Sequence, residues 1–432
     1  MLEAAINAFK IADLRRKILF TVGVLVIFRF IATIAVPGVD REALKQLLES
    51  NSLLGMLNLF SGSTLSNFSI VALGVYPYIT ASIIMQLLTP IIPRLNELSQ
   101  EGQQGRNRVN RITHWITVPI AVLQAYGQCI LMQNGGVLDD FGLFNSDSWL
   151  SSAAILITLV TGTMLLVWLG ELITENGIGN GISIIIFGGI VASLPSTVGN
   201  LVYGGSATDN VVGTLTFVVL GLITIVGIVL INEGQRRIPV QHARRVRRGR
   251  VYGGGTTFIP LKVNSAGMIP LIFAVSIMVF PGTIANYLTG SNREWVRDLA
   301  QSMANFFDTN NWYYQLIYFL MVVAFTFFYT MVVFQQQRVA ENLQRQGAFI
   351  PGIRPGANTD RYLTKVLTRI TLVGALFLGT VAVLPFIAAR ITGVQTLFLS
   401  STSLLIVVGV AIDTMRQLEA QLMMRNYDGF IR

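Results

Sequence analysis

The chain has 432 residues, of which 52% are hydrophobic and only 12% charged, with a net charge of +9. Charged residues stand at about half the share usual in globular proteins, too few to coat a soluble surface of this size. A soluble enzyme, a disulfide scaffold and a disordered tail protein are excluded. The single cysteine, Cys129, lies in an apolar run and has no second thiol to pair with.

The leader MLEAAINAFKIADLRRK predicts an amphipathic surface helix over 1–17, and the apolar run behind it has span length. This favours a retained first span over a cleaved signal. Ten apolar stretches follow one another, at about 18–36, 70–92, 115–132, 150–170, 178–195, 211–231, 266–288, 312–334, 366–388 and 397–413. Each is near the roughly 20 residues that cross a bilayer as a helix. The longest connections fall at 232–265 and 335–365, and a tail occupies 414–432.

The positions of the 31 Lys and Arg residues orient these stretches. With the N-terminus inside, 25 lie on inside segments and five on outside loops, counting Arg369 with the inside end of its stretch; Arg29 falls within the first stretch. The bias of the positive-inside rule therefore predicts both termini in the cytoplasm. The inside loop GELITENGIGN carries none and reads as a tight turn.

Apart from Arg29, ionisable residues avoid the middles of the stretches. Proton relays and ion sites need such residues at the midplane, which weighs against an ion-coupled transporter. The two histidines, His114 and His242, flank basic loops and read as solvated loop residues. No HExxH helix, GxSxG elbow or intramembrane carboxylate pair is present, so no catalytic residue, metal ligand or cofactor is expected. The glycines Gly177, Gly179 and Gly181 lack the strand and lysine of a phosphate loop and read as a flexible turn.

Two stretches are interrupted. The second contains Pro77, and the seventh contains Pro270 and Pro281; they occupy matching places in two halves of five. Interrupted helices at matching positions point to the working site of a repeat-built membrane protein, although proline is also simply tolerated in such helices. Ahead of the second stretch, LLGMLNLFSGSTLSNF is too polar to span. It reads as an outside loop or as a short helix folded back among the spans.

At this point six blocks carry a resemblance. FSGSTLSNFSIVALGVYPYITASIIMQLLTP, NGIGNGISIIIF, EGQRRIPV, LKVNSAGMIP, FIPGIRPG and TSLLIVVGVAID occur in this order. The chain resembles the SecY family of protein translocon channels over essentially its whole length. The resemblance implies an all-α polytopic membrane protein of a bacterial plasma (inner) membrane. Ten transmembrane helices would form two pseudo-symmetric halves of five, residues 18–195 and 196–413, around an hourglass pore with a plug.

The family's pore ring maps by motif to Val75, Ile79, Ile182, Ile186, Ile272 and Ile406. Residues 75/79 and 182/186 are i,i+4 pairs, so each pair shares one helix face, as plain packing pairs also do. Val75 stands where the family often has isoleucine. A narrow apolar ring dewets and resists ions, while branched aliphatics part around any extended chain. The segment 57–68 resembles the plug, with Phe60, Ser61, Gly62 and Leu65. Thr80, Gln86 and Asn264 resemble the polar residues of the lateral gate, through which apolar segments would pass into membrane lipid; ordinary helix packing explains Gln86 and Asn264 equally well.

The loop EGQRRIPVQHARRVRRGRVYGGG places seven arginines within fifteen residues: Arg236, Arg237, Arg244, Arg245, Arg247, Arg248 and Arg250. The planar guanidinium fork suits phosphate oxygens, and a solvated loop drawn to anionic lipid is the plainer alternative. With Arg354 of the second long loop, the resemblance implies docking of the motor ATPase SecA or of ribosomal RNA and proteins at the exit tunnel. It also implies the small subunits SecE and SecG as partners, with unfolded preproteins as the translocated substrate. The other functional class left open is a secondary transporter of a small solute.

Overall fold

The computed structural model describes residues 11–50, 54, 58, 61–62, 64–138, 141–142, 149–203, 211–242, 245–247, 250–252, 256–267, 269–288, 293–307, 311–392 and 396–428. Phe60, Arg244 and Arg248 lie outside the described residues, as does most of the expected leader helix. Each of the ten apolar stretches falls on a helix.

In chain order the helices are α1 (Ala12–Ala32), α2 (Arg41–Ser50), α3 (Tyr76–Leu88), α4 (Pro93–Gln100), α5 (Gln103–Asn134), α6 (Trp149–Asn176), α7 (Gly181–Tyr203) and α8 (Val211–Glu233). After strands β1 (Gln235–His242), β2 (Arg245–Arg247), β3 (Arg250–Tyr252) and β4 (Thr256–Lys262) come α9 (Ile269–Leu288), α10 (Glu294–Phe306), α11 (Trp312–Gln337) and α12 (Val339–Arg345). Strand β5 (Ala348–Phe349), α13 (Ala357–Thr392) and α14 (Thr396–Asp428) complete the chain. Among the described residues, four helices, starting at Gln103, Trp149, Trp312 and Ala357, are long and apolar enough to cross a bilayer. A fifth candidate is the pair α3 and α4, bent by 101° at the Thr89–Ile92 break.

The interrupted stretches have a common local form. Pro77 is the second residue of α3 and Pro270 the second of α9, so each proline starts a helix where its missing N–H costs nothing. The chain ahead of α3, expected to belong to the span, runs through turns instead. Pro281, by contrast, sits inside α9.

Two compact units emerge. The first gathers Met1–Gly221, Val275–Gln315 and Pro385–Arg432; the second holds Leu222–Ala274 and Leu316–Leu384. In the first unit, α5 packs against α3 and α6, while α7 packs against α1, α6 and α14. Leu65, Phe68, Ala72 and Leu73 form a core with Leu44 of α2, Cys129 and Met132 of α5 and Leu159 of α6. The α6–α7 connection is four residues long and close-packed rather than flexible. A methyl group on Gly181 would meet the Gly170 carbonyl oxygen, and the Gly181 N–H donates to Thr174 Oγ1 at 2.9 Å. Small residues here let two membrane helices approach backbone to backbone.

The second unit contains what the sequence reading treated as plain loop. β1 pairs antiparallel with β4 over seven residues, Gln235↔Lys262 to Gln241↔Thr256, and β5 joins the other edge of β1. The inward residues Ile238, Val240 and Leu261 pack with Phe334, Leu343, Ile350, Leu363 and Leu367. The alternation around Ile238 and Val240 is the period-2 signature of a half-buried strand. β2 and β3 form a second two-stranded ribbon, with Arg247 opposite Arg250.

Candidate functional site

Val75 caps the N-terminus of α3 and Ile79 follows one turn later, its N–H donating to the Val75 carbonyl at 3.1 Å. Both are buried, Val75 with 1% of its surface exposed. On α7, Ile186 is equally buried, whereas Ile182 is half-buried and rests on Gly170 of α6. Ile406 lies on α14, the helix that packs against α7, and keeps 1% exposure. Ile272 is buried within the second unit, beside Phe273, whose ring meets Phe325 and Tyr329 edge-on.

The segment expected to act as a plug is folded onto itself and onto α7. Thr64 Oγ1 donates towards the carbonyls of Ser61 and Val71, the Leu65 N–H donates to Ser61 Oγ, and the Ser66 N–H donates to Asn58 Oδ1. Leu65 opens a 3₁₀ turn, Leu65–Asn67, and is fully buried. Gly62 has φ +72° and lies so near Gly189 of α7 that a methyl on Gly189 would come within 2.2 Å of the Gly62 Cα. Only glycine accommodates both the backbone conformation and the approach.

Arg29 takes part in this arrangement. The apolar stretch reaches residue 36, but α1 ends at Ala32, which puts Arg29 in its last turn. There a cation meets the negative end of the helix. Its Nη1 also reaches the Gly62 carbonyl oxygen at 3.4 Å.

The three expected gate residues make local hydrogen bonds. Thr80 Oγ1 donates to the Tyr76 carbonyl at 3.1 Å and Gln86 Nε2 to Ser82 Oγ at 3.2 Å, both within α3. Asn264 Nδ2 donates to Asn232 Oδ1 at 2.8 Å and to the Gly267 carbonyl at 3.1 Å, inside the second unit. A bond between helices is made instead by Tyr76, whose hydroxyl donates to the Ser276 carbonyl of α9 at 2.9 Å. Sequence reading passed over Tyr76; its place immediately before Pro77 was the available signal.

A second polar cluster was also missed. Tyr78 Oη donates to Asn110 Oδ1 at 3.2 Å, and Asn110 Nδ2 donates to Glu171 Oε1 at 2.8 Å. His114 Nε2 lies 2.8 Å from the same carboxylate oxygen, and the His114 ring meets Tyr78 edge-on. His114 is therefore a half-buried residue of α5 that meets two other helices, α3 and α6, rather than a solvated loop residue. Asn110 and His114 are an i,i+4 pair on α5, a spacing visible in the sequence.

Of the basic loop, Arg236 and Arg237 are exposed on β1, and Arg354 is exposed ahead of α13. Arg245 and Arg247 lie on β2 and Arg250 on β3, which brings their backbones together at one ribbon.

The profile of the SecY family matches residues 69–415. The chain is 41% identical, over the full length of both, to the protein translocase subunit SecY of Streptomyces scabiei. The same subunit of Halalkalibacterium halodurans is 42% identical, again over all of both chains. Among solved structures, a protein-conducting channel superposes with a TM-score of 0.62 at 17% identity, covering 94% of this chain and 92% of that one. The apolar helices and these relatives make the chain a multi-pass membrane protein. Agreement that runs from one end of the sequence to the other, on the same fold, establishes that the chain belongs to the SecY family.

Proposed function

We propose that this chain is the protein-conducting subunit of a translocon, which passes unfolded polypeptides across a bacterial inner membrane and releases apolar segments sideways into lipid. The observation that carries the reading is whole-length membership in a translocase family joined to aliphatic residues, Val75, Ile79, Ile186 and Ile406, buried on α3, α7 and α14. With Ile182 and Ile272 they form the ring of the proposed pore. Such a ring offers no hydrogen-bond partner to water or ions, and it is indifferent to the sequence of whatever threads it.

In this reading the ten apolar helices all span, with both termini cytoplasmic, in two halves of five. The segment around Ser61, Gly62 and Leu65 closes the idle channel as a plug. Its packing on Gly189 and its bond from Arg29 support that role. Thr80, Gln86 and Asn264 belong to the lateral gate, although their own hydrogen bonds here do not cross that seam. Polar contacts between helices, at about 0.6–2 kcal/mol each, suit a seam that must both close and yield. Exposed Arg236 and Arg237 of β1 and exposed Arg354, together with Arg245, Arg247 and Arg250 of the β2–β3 ribbon, dock SecA or the ribosome. SecE and SecG complete the assembly.

The test is reconstitution of the chain with SecE and SecG in proteoliposomes, with SecA and ATP added outside. An unfolded preprotein becomes protease-protected inside. Uptake of a small solute without any motor, and no protected preprotein, would instead identify a secondary transporter.

A further inference from the structure

Helix α10, between α9 and α11, has no part in the channel just described. At about 100° per residue its thirteen residues divide into three faces. Ala300, 1% exposed, and half-buried Val296 and Ala304 pack on protein. Glu294, Arg297, Asp298 and Gln301 form an exposed polar face. The third face is apolar and open: Trp295, Leu299 and Phe306 are 66%, 53% and 47% exposed.

Large apolar side chains gathered on one exposed face mark a surface with a partner. Two observations identify it. Asn311 Nδ2 donates to the Asn305 carbonyl oxygen, and this ties the end of α10 to the start of α11. α11 then opens with Trp312 and Tyr313, exposed, with their tilted rings 4.1 Å apart between centroids, at the head of an apolar span. Exposed aromatics at the end of a span belong at the membrane–water boundary. α10 is held at that boundary by its tether. Its charged face carries two acidic and two basic residues if Arg293, its N-cap, is included, so attraction to one sign of headgroup is not needed.

We propose that α10 lies flat in the membrane interface, with Trp295, Leu299 and Phe306 immersed at the level where acyl chains begin and the polar face turned to water. An amphipathic helix of this kind binds through buried apolar area. Here it anchors the α9–α11 connection at a fixed depth, whichever side of the membrane that connection faces.

The test is the full-length chain carrying Leu299→Cys or Gln301→Cys, spin-labelled in nanodiscs of phosphatidylethanolamine and phosphatidylglycerol. Both positions are exposed, and native Cys129 is buried out of reach of the label. The probes are dioxygen, which concentrates in lipid, and a neutral nickel chelate, which stays in water. The expected result is a higher oxygen-to-nickel collision ratio at 299 than at 301. Equal nickel access at the two positions would overturn the proposal by placing the apolar face in water. A label at 299 shielded from both probes would overturn it by showing that protein, a partner or a second copy, covers the face.

Discussion

The hydroxyl of Tyr76, in the first turn of α3, donates a 2.9 Å hydrogen bond to the carbonyl oxygen of Ser276 in the middle of α9. Both residues are buried. Tyr76 follows Val75 directly, and Ser276 lies one turn beyond Ile272 on its helix. The acceptor lies five residues before Pro281, which has no N–H to give and whose ring crowds the carbonyl of the neighbouring Ile277, four residues back. A turn loosened in this way takes hydrogen bonds from outside the helix.

Tyr76→Phe keeps the ring and removes only the donor. The expected loss is about 0.6–2 kcal/mol of contact between α3 and α9. If the bond is made only in the closed channel, opening becomes roughly threefold to thirtyfold more frequent, since 1.4 kcal/mol is a factor of ten. Single-channel recording in planar bilayers reads this as added ion leak. Tyr78→Phe, which removes a bond between α3 and α5, leaves the leak unchanged. Equal leak from both variants would show that the Tyr76 bond does not hold the closed state.

Gly189→Val sets a branched side chain where even a methyl would come within 2.2 Å of the Gly62 Cα. Neither backbone can give way cheaply, so the segment around Ser61 has to leave α7. In a Ser61→Cys background, where position 61 is buried, a water-soluble maleimide reacts slowly. Adding Gly189→Val is expected to speed that labelling. An unchanged labelling rate would mean that the plug segment is not held by this contact.

The apolar stretches were legible because a bilayer favours runs of apolar residues in helical form, and a helix runs through each stretch here. Boundaries set by specific contacts were not. α1 stops at Ala32, short of the apolar run, and the chain before α3 turns rather than spans because Thr64 and Ser69 satisfy its backbone from the side. The β1–β4 ribbon was hidden by its arginines, although Ile238 and Val240 alternate as a strand should. Of the candidate site, helix and face were readable from spacing, as for Val75 and Ile79. The partners of Tyr76 and His114 were not, since each lies on another helix: Ser276 is 200 positions away and Glu171 is 57.

Glu171 accepts from exposed Asn110 and faces half-buried His114, so Glu171→Ala leaves the His114 ring without its partner. An unsatisfied group of this kind costs about 1–3 kcal/mol. A lower melting temperature is expected for the detergent-solubilised chain, read by a thiol-reactive dye on buried Cys129. Glu175→Ala, one turn further along α6 on an exposed position, serves as the control and melts like the parent. Equal melting of the two variants would reduce the cluster to a surface feature.

Ile406→Asn tests the proposed seal itself. Ile406 is almost wholly buried, on the helix that packs against α7, where Ile186 is buried to the same extent. The smaller amide side chain brings two donors and an acceptor into that place and leaves space beside them, and water follows to satisfy them. If these residues line a dewetted constriction, the closed channel starts to conduct ions, and planar-bilayer conductance rises without SecA or ATP. If Ile406 is only packed between helices, the same change costs stability and leaves conductance at the parent level. Melting and conductance recorded on one preparation separate the two, because a packing residue moves the first and a ring residue moves the second.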